Sequence, residues 1–343
     1  MSENPQLSEL LLRIEDLIIE NKIKNAIQIL ESRLSDFEDC TEIFNTLGEL
    51  YLIEKKSNIA LGYLNRALEL TPENLDTLEL LGDAYYVSED YNQAEISWIK
   101  VIEMDMRKYK IWQKLGILYY EIGEYVNANQ ALSKYLEFEE NAEIYSLLAT
   151  IFQKMGNEIE CWNNLMKAEK LDPTNDRILV QIGQTYYDLN NFDRAIEYFK
   201  KASEVNPSNL SAWFQLGKSF EEKQDFTQAI ESFFEVIEID PDNVLGYYYL
   251  AKIYAADAKI ADAIRYYKEC LNHDPSFEDA SLSLASLYWA SKEYESALSI
   301  LKEALRYNES SQLFRLIGDI YEELGEKEKA KSSWEKAARL EEG

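Results

Sequence analysis

Apolar residues recur along the chain at the spacing of one helical face. Within 176–209, Leu179, Ile182, Gly183 and Tyr186 are separated by the three- and four-residue intervals that bring side chains together on one side of an α-helix. A second face of this kind follows in the same segment, and turn-forming residues separate the two. The pattern therefore predicts a pair of helices.

The same pattern returns at a nearly constant period. Four prolines lie 34 residues apart, and a glycine-or-alanine position and a second small-residue position twelve residues later recur in step with them. This periodicity predicts one domain over 1–343 that is built from ten repeats. The predicted repeats are 7–40, which is degenerate, 41–74, 75–108, 109–141, 142–175, 176–209, 210–243, 244–277, 278–310 and 311–343.

The small positions have a packing reason. Gly183 and Ala195 are expected where the two helices of a repeat cross, because only a small side chain allows their axes to approach closely. One helix pair cannot bury its apolar face alone, whereas stacked pairs can. The predicted fold is therefore all-α, a stack of antiparallel helix pairs.

The repeats resemble the tetratricopeptide repeat. The residues that carry the resemblance in 210–243 are Trp213, Leu216, Gly217, Phe220, Ala229, Phe233 and Pro241. They recur in 41–74 as Phe44, Leu47, Gly48, Tyr51, Ala60, Leu64, Ala67 and Pro72. The resemblance implies a right-handed α-solenoid superhelix whose first helices line a concave groove, and a non-enzymatic scaffold that binds other proteins.

The first repeat departs from the pattern. Ile14 takes its glycine position, and its first helix is apolar around more than one face. One interpretation is that this helix tilts and buries most of its apolar surface on the second repeat. The other is a self-association or partner-docking site, with Leu11 and Ile18 as candidates.

The last repeat departs in a different way. Lys331 and Glu335 stand on a face that is apolar in the earlier repeats. A terminal repeat needs a polar outer face, so this repeat is expected to cap the array itself, with Trp334 packed inward.

The charge narrows the partners. The chain has 35 Lys and Arg against 63 Asp and Glu, a net charge of −28. Such a surface repels polyanions, so no nucleic-acid partner is expected. The N-terminal residues are acidic and no apolar run is long enough to span a bilayer, so we expect no membrane insertion and a cytoplasmic protein.

Candidate chemistry is sparse. Three dispersed cysteines and the single His273 offer no clustered metal ligands and no acid–base pair. No phosphate-binding loop or nucleophile motif is present either. We therefore expect no catalytic residue, metal or cofactor, and an enzyme is the least favoured class.

The groove positions implied by the resemblance differ along the chain. In repeats two and three they are mostly acidic, whereas in repeats four to eight they are neutral to positive, aromatic and rich in amides. Aromatic and amide side chains suit an extended peptide or a helix. The candidate partner-binding residues are Lys110, Gln113, Tyr120, Arg177, Gln181, Gln184, Tyr187, Phe214, Gln215, Lys218, Tyr248, Lys252 and Trp289.

Two alternatives to a peptide groove stay open. These positions can be ordinary solvated residues of a scaffold, and the chain can be a structural subunit of a larger assembly. A monomer is expected, with a homodimer through the N-terminal helix as the alternative.

Overall fold

The computed structural model describes residues 5–342, which are helical and contain no strand. A single 3₁₀ turn lies at Leu34–Asp36. The helices are α1 (Pro5–Ile19), α2 (Ile23–Ser32), α3 (Thr41–Ile53), α4 (Ser57–Leu70), α5 (Leu75–Val87), α6 (Tyr91–Met104), α7 (Lys110–Glu121), α8 (Tyr125–Leu136), α9 (Ala142–Lys154), α10 (Glu158–Leu171), α11 (Asp176–Asp188), α12 (Phe192–Val205), α13 (Leu210–Glu222), α14 (Phe226–Ile239), α15 (Val244–Ala256), α16 (Ile260–His273), α17 (Glu278–Ala290), α18 (Tyr294–Ala304), α19 (Ser311–Glu323) and α20 (Lys327–Glu342).

The helices belong to two compact bodies. The N-terminal body ends at Ala168 and the C-terminal body begins at Glu169. Within each body, helices pack in consecutive pairs, such as α5 with α6 and α13 with α14, and each second helix also packs on the first helix of the next pair. The predicted all-α class of stacked helix pairs is thereby confirmed. The repeat boundaries and the single-domain organisation stay predictions.

Each body has its own apolar core between the paired helices. In the N-terminal body a cluster of buried residues runs from Leu10 on α1 to Ala84 on α5. In the C-terminal body a larger cluster runs from Ala195 on α12 to Ile320 on α19. Each core is therefore continuous over several pairs, as expected where one pair cannot bury its own face.

The glycine positions mark the closest approach of paired helices. A Cβ atom added at Gly183 would lie 2.6 Å from Cε1 of the fully buried Phe199, and one at Gly82 would lie within 2.9 Å of three ring atoms of Trp98. Ordinary contacts at such an atom are 3.4–4 Å. The expected packing role of the small positions is confirmed.

The turn inside each pair uses one residue in the left-handed region. This residue is Lys55 (φ 59°) between α3 and α4, and Gln224 (φ 58°) between α13 and α14. The next backbone N–H then reaches back five positions, as from Lys56 to the carbonyl of Tyr51 at 2.8 Å. This bond closes the first helix and starts the reversal.

Asparagine caps five of the described first helices. Its side chain accepts a hydrogen bond from the backbone N–H three residues later, as at Asn175, where the donor is Ile178. The helix α7 is an exception, because Tyr109 precedes it and no side chain caps it. The other first helices with this cap follow Asn74, Asn141, Asn209 and Asn243.

The N-terminal helix buries one side and exposes another. Ile14 is buried, and Leu11 and Ile18 lie partly buried against the N-terminal core. The exposed apolar residues are instead Leu12, at 63% of its surface, and Ile19, at 83%. Leu11 and Ile18 are therefore less exposed than Leu12 and Ile19, and their role in a docking site stays a prediction.

The last helix pair has the polar outer face that the sequence suggests. Lys331 and Glu335 are exposed on α20. Trp334 packs against Gly318, and its indole N–H donates to Asp319 Oδ1 at 2.9 Å. The expected inward packing of Trp334 is confirmed.

Candidate protein-binding surface

The first helices of successive pairs lie next to each other. In the N-terminal body α3 contacts α5, and in the C-terminal body α11 contacts α13 and α17 contacts α19. Their solvent-facing side chains therefore form a continuous surface within each body. We call this the first-helix surface; it carries the predicted binding residues.

Cations and aromatic rings are combined on this surface in the C-terminal body. Lys218 Nζ lies 5.1 Å from the centre of the Tyr187 ring, and Lys252 Nζ lies 5.3 Å from that of Tyr249. Lys252 also forms an ion pair with Glu221 at 2.8 Å. No carboxylate partner is seen for Lys218 in the part of the chain that the structure describes. The acid closest to this contact is Glu222, one turn further along α13, which accepts a hydrogen bond from the Tyr187 hydroxyl at 3.4 Å.

The aromatic rings are held in place by their neighbours. Phe214 packs edge-on against Tyr249, with ring centres 5.2 Å apart and an interplanar angle of 86°. Tyr248 packs against Phe277 at 5.2 Å and 69°. Both side chains remain partly exposed, as does Trp289. Rings fixed in this way lose little side-chain entropy when they contact a ligand.

The glutamines of this surface are less uniform than the sequence suggests. Gln184 Nε2 donates to Asp188 Oδ1 at 2.7 Å, so one of its donors is used within α11. Gln215 Oε1 is buried and has no hydrogen-bond partner within residues 5–342. Gln181 lies partly buried one repeat before Gln215 and has its own partner. The three amides therefore do not form a row of equally exposed hydrogen-bonding groups.

Arg177 lies at the edge of a shallow depression of about 440 Å³. Asp176 on the same helix accepts hydrogen bonds from the side chains of Asn206 and Asn209, both at 2.7 Å. This bonding occupies Asp176, while the Arg177 side chain stays exposed beside it. Arg177 is thus a second cation that can meet a ligand here.

Three predicted residues lie on α7 in the N-terminal body. Lys110 is exposed, whereas Gln113 and Tyr120 are partly buried. The Tyr120 ring contacts Tyr125 at the start of α8, with centres 6.2 Å apart. These residues belong to the first-helix surface of their own body.

The acidic stretch of the N-terminal body is partly neutralised by lysines that the sequence analysis did not assign to the surface. Lys114 Nζ on α7 bonds to Glu79 Oε1 at 2.9 Å and to Asp83 Oδ1 at 2.7 Å. Lys108 Nζ bonds to Asp76 Oδ1 at 2.8 Å. Lys108 occupies the position of the capping asparagine in other repeats, and this substitution is the sequence signal for its different role.

This network changes the acidity of its carboxyl groups. Burial raises the pKa of Glu79, but hydrogen bonds and charge from Lys114 and Lys108 outweigh it and leave the pKa below its ordinary value. At Asp83 burial prevails over Lys114, so its pKa is raised. The two neighbouring acids are therefore shifted in opposite directions.

Two further findings concern chemistry that the residues could support. Among residues 5–342, no three His, Cys, Asp or Glu side chains are grouped so that they could hold a metal ion. Within the same range, no helix combines the length and apolar character that crossing a membrane requires.

Consecutive helix pairs, cores shared between pairs and an exposed surface of adjacent first helices define a helical-repeat scaffold. The chain contains tetratricopeptide repeats, because models of that repeat match residues 180–244, 256–320 and 315–343. Repeats of this family mediate protein–protein interaction and are typically non-catalytic. The fold is thus that of a protein-interaction scaffold.

Solved structures have the same fold. The C-terminal part of a TPR repeat-containing protein from Cytophaga hutchinsonii is 21% identical, with a TM-score of 0.59, over 66% of this chain and 94% of that one. A tetratricopeptide repeat protein from Parabacteroides merdae is 19% identical, with a TM-score of 0.52, over 68% and 93%. The Cut9–Hcn1 hetero-tetramer of the APC/C is 18% identical, with a TM-score of 0.50, over 81% of this chain and 55% of that one. No curated protein matches the chain.

Proposed function

We infer that the chain is a non-enzymatic scaffold that binds an extended segment or a helix of a partner protein along its first-helix surface. The observation that carries this proposal is the set of fixed aromatic rings on α11, α13 and α15 together with the cations Arg177 and Lys218, in a chain whose net charge is −28.

The chemistry of these residues selects the ligand. Lys218 and Arg177 favour a carboxylate, and the rings of Tyr187, Phe214 and Tyr248 favour aromatic or apolar side chains. A partner segment that combines acidic and aromatic residues satisfies both. Side-chain amides such as that of Gln184 add hydrogen bonds to the backbone of an extended segment.

The N-terminal body favours a positively charged partner segment. After Lys108 and Lys114 pair with the acids of α5, Glu42 and Glu49 on α3 remain exposed. A basic segment of a partner protein would meet these two carboxylates. The sequence suggests a larger acidic surface here, but the acids of α5 are paired with lysines, so the expected contact with a basic segment is limited to Glu42 and Glu49.

Selection of peptides from a random display library on the intact chain tests the proposal. We expect enriched sequences to combine Asp or Glu with aromatic residues, although the chain as a whole repels acids. Lys218→Glu should lower the affinity for the selected peptide by about tenfold or more, since it turns the attraction to an acidic peptide into repulsion.

A matched control lies on a second helix. Lys200 on α12 contacts the Phe220 ring at 5.2 Å, almost the distance of Lys218 from Tyr187. Lys200→Glu therefore makes the same charge change in the same kind of contact, away from the first-helix surface. Equal losses of affinity in the two variants would refute the location.

One observation favours the alternative of a homodimer through the N-terminal helix. Leu12 and Ile19 are exposed on the same side of α1, seven residues apart. A homodimer through this helix would bury them. If the mass measured by light scattering rises with concentration, and Leu12→Asp with Ile19→Asp abolishes the rise, the chain self-associates there; a constant monomer mass removes the alternative.

A further inference from the structure

The fourth residue of each repeat is large and apolar or aromatic, with one exception. In 278–310 this position holds Ser281, which is only 2% exposed. Its hydroxyl donates to the carbonyl of Phe277 at 3.4 Å, so it is satisfied within its own helix turn. The other nine repeats have Leu10, Phe44, Leu78, Trp112, Tyr145, Leu179, Trp213, Tyr247 and Phe314 at this position. Repeat 278–310 therefore lacks a large side chain that every other repeat keeps buried or partly buried.

A pocket of about 490 Å³ lies at Ser281. Ser281 and Leu284 on α17 form its floor, and both are buried. The walls come from the two flanking second helices, with Leu271 on α16 and Ile300 on α18. The corresponding groove between α12 and α14 contains Trp213 and measures about 350 Å³. The groove with the serine is the larger one, as expected where a missing side chain leaves its space unfilled.

The ring at this position also donates a hydrogen bond in the two preceding repeats. Trp213 donates its indole N–H to the carbonyl of Pro207 at 2.9 Å, and Tyr247 donates its hydroxyl to the carbonyl of Pro241 at 3.1 Å. Each acceptor lies six residues before the ring, and the matching residue before Ser281 is Pro275, which lines the pocket. Within residues 5–342 no group donates to the Pro275 carbonyl. The pocket therefore combines apolar walls with an acceptor that has lost its donor.

The geometry points to this pocket as the binding site for a tryptophan or tyrosine side chain of a partner protein. The ring takes the place that Trp213 and Tyr247 have in their own repeats, and it packs between α16 and α18. Its N–H or O–H donates to the Pro275 carbonyl. Aromatic side chains that fill pockets of this kind contribute a large share of the affinity in protein interfaces.

The surroundings of the pocket favour a ring that belongs to another protein chain. Arg265, Lys268 and Glu303 line it and are exposed, so the polypeptide on either side of the ring finds polar partners there. A second copy of this chain is a poor occupant. No tryptophan of residues 5–342 is exposed, and the one exposed tyrosine in that range, Tyr307, lines the pocket itself.

The pocket lies between second helices and is separate from the first-helix surface. The proposal therefore does not depend on the function proposed for that surface, and either can fail without the other.

A capped five-residue peptide with one tryptophan between alanines serves as the probe. NMR shifts of the methyl groups of Leu284 and Ala304, which both line the pocket, measure its affinity. A second peptide carries 3-benzothienylalanine, which has the shape of tryptophan but no ring N–H. We expect the tryptophan peptide to bind about fivefold tighter, because only its ring can donate to the Pro275 carbonyl. It should also bind about threefold tighter than free indole, since its peptide groups reach the exposed residues around the pocket.

Two variants change the pocket in different ways. Ser281→Trp fills it with a residue type of the other repeats, so stability in urea should stay unchanged or rise, while affinity for the tryptophan peptide falls about tenfold or more. Ile300→Ser removes an apolar wall and should lower that affinity about fivefold. Ser286→Trp is the matched control, because Ser286 is exposed on the same helix and lies outside the pocket.

The outcomes separate the possibilities. Loss of affinity in Ser281→Trp and Ile300→Ser, but not in Ser286→Trp, supports the proposal. No saturable shift in the native chain, an equal loss in Ser286→Trp, or a clear loss of stability in Ser281→Trp overturns it. Equal affinity of the benzothienyl peptide refutes the role of the Pro275 carbonyl.

Two results would assign the pocket to another occupant and also overturn the proposal. Indole that binds as tightly as the tryptophan peptide would assign it to a free aromatic molecule. A concentration-dependent dimer that Ser281→Trp abolishes would assign it to a second copy of this chain.

Discussion

Adding one methyl group at Gly82 should destabilise the N-terminal body. The added Cβ would lie within 2.9 Å of Cδ1, Nε1 and Cε2 of Trp98, which is only 2% exposed and cannot swing away. Moving the indole would also break its hydrogen bond to Asp83 Oδ1, which is 3.1 Å long.

The expected magnitude follows from three contributions. Overpacking costs about 1–3 kcal/mol, and the lost hydrogen bond to a carboxylate costs about 1.5–3 kcal/mol. Alanine in a helix returns about 1 kcal/mol relative to glycine. Gly82→Ala should therefore lower the free energy of unfolding by about 1.5–5 kcal/mol.

Gly62 supplies the control. It lies inside α4, it is exposed, and an added Cβ there meets no atom within 4 Å. Gly62→Ala should stabilise the chain by about 0.5–1 kcal/mol, since only the helix preference changes. Urea unfolding followed by circular dichroism, with hydrogen exchange of α5 and α6, measures both effects.

A compensating change tests the cause of the loss. Other repeats pair alanine with leucine at these two positions, as in Ala285 and Leu301, both fully buried. Gly82→Ala combined with Trp98→Leu should therefore recover a large part of the lost stability. The reasoning fails if Gly82→Ala is no less stable than Gly62→Ala, or if the double variant is no more stable than Gly82→Ala alone.

Three further predictions concern individual groups. The hydrogen bond to Glu31 raises the pKa of Tyr51 to about 12, and burial raises the pKa of Tyr187 to about 12. A free tyrosine ionises near pH ~10. The contribution of these two hydroxyls to stability is therefore complete below that pH and should be lost as the pH rises through about 12. Unfolding at alkaline pH, followed by tyrosinate absorbance, checks this sign, and Tyr51→Phe should reduce the loss. Gln215→Met should leave urea stability unchanged or raise it by about 1 kcal/mol, since it removes a buried acceptor without a partner; a clear loss would mean that the amide is satisfied. Lys114→Met should lower stability by about 1–2 kcal/mol at neutral pH, and less in acid, because two partly buried carboxylates lose their counter-charge; an equal loss at both pH values would contradict the electrostatic cause.

The helix pairs could be predicted from the sequence because their signals are local and repeated. The spacing of Leu179, Ile182 and Tyr186 fixes one helical face, and the recurrence of small residues such as Gly183 fixes where the helices cross. These features reappear in the structure as buried faces and close contacts. Each repeat restates the same pattern, so a single irregular repeat does not obscure it.

The candidate site was harder to predict because its properties depend on contacts between repeats. The acids of α5 meet Lys114 on the next first helix, so counting charges one repeat at a time overstates their effect. Likewise, the packing of α1 on the N-terminal core decides that Leu12, and not Leu11, faces solvent. Helical periodicity alone does not fix that packing.

The charges near the proposed binding residues differ in sign from the total charge of the chain. The affinity for an acidic ligand should therefore depend on salt in an unusual way. At physiological ionic strength, charges beyond about 8 Å are screened, so an acidic ligand experiences mainly Lys218, Arg177 and the nearby Glu221–Lys252 pair. At low salt the screening length grows to about 30 Å, and the net charge of −28 then opposes the approach of the same ligand. An acidic aromatic peptide should therefore bind more tightly as salt rises from the low range toward the physiological one. Most charge-driven complexes behave in the opposite way. Affinity measured across this range decides the matter: a steady fall with added salt would mean that local cations do not control binding.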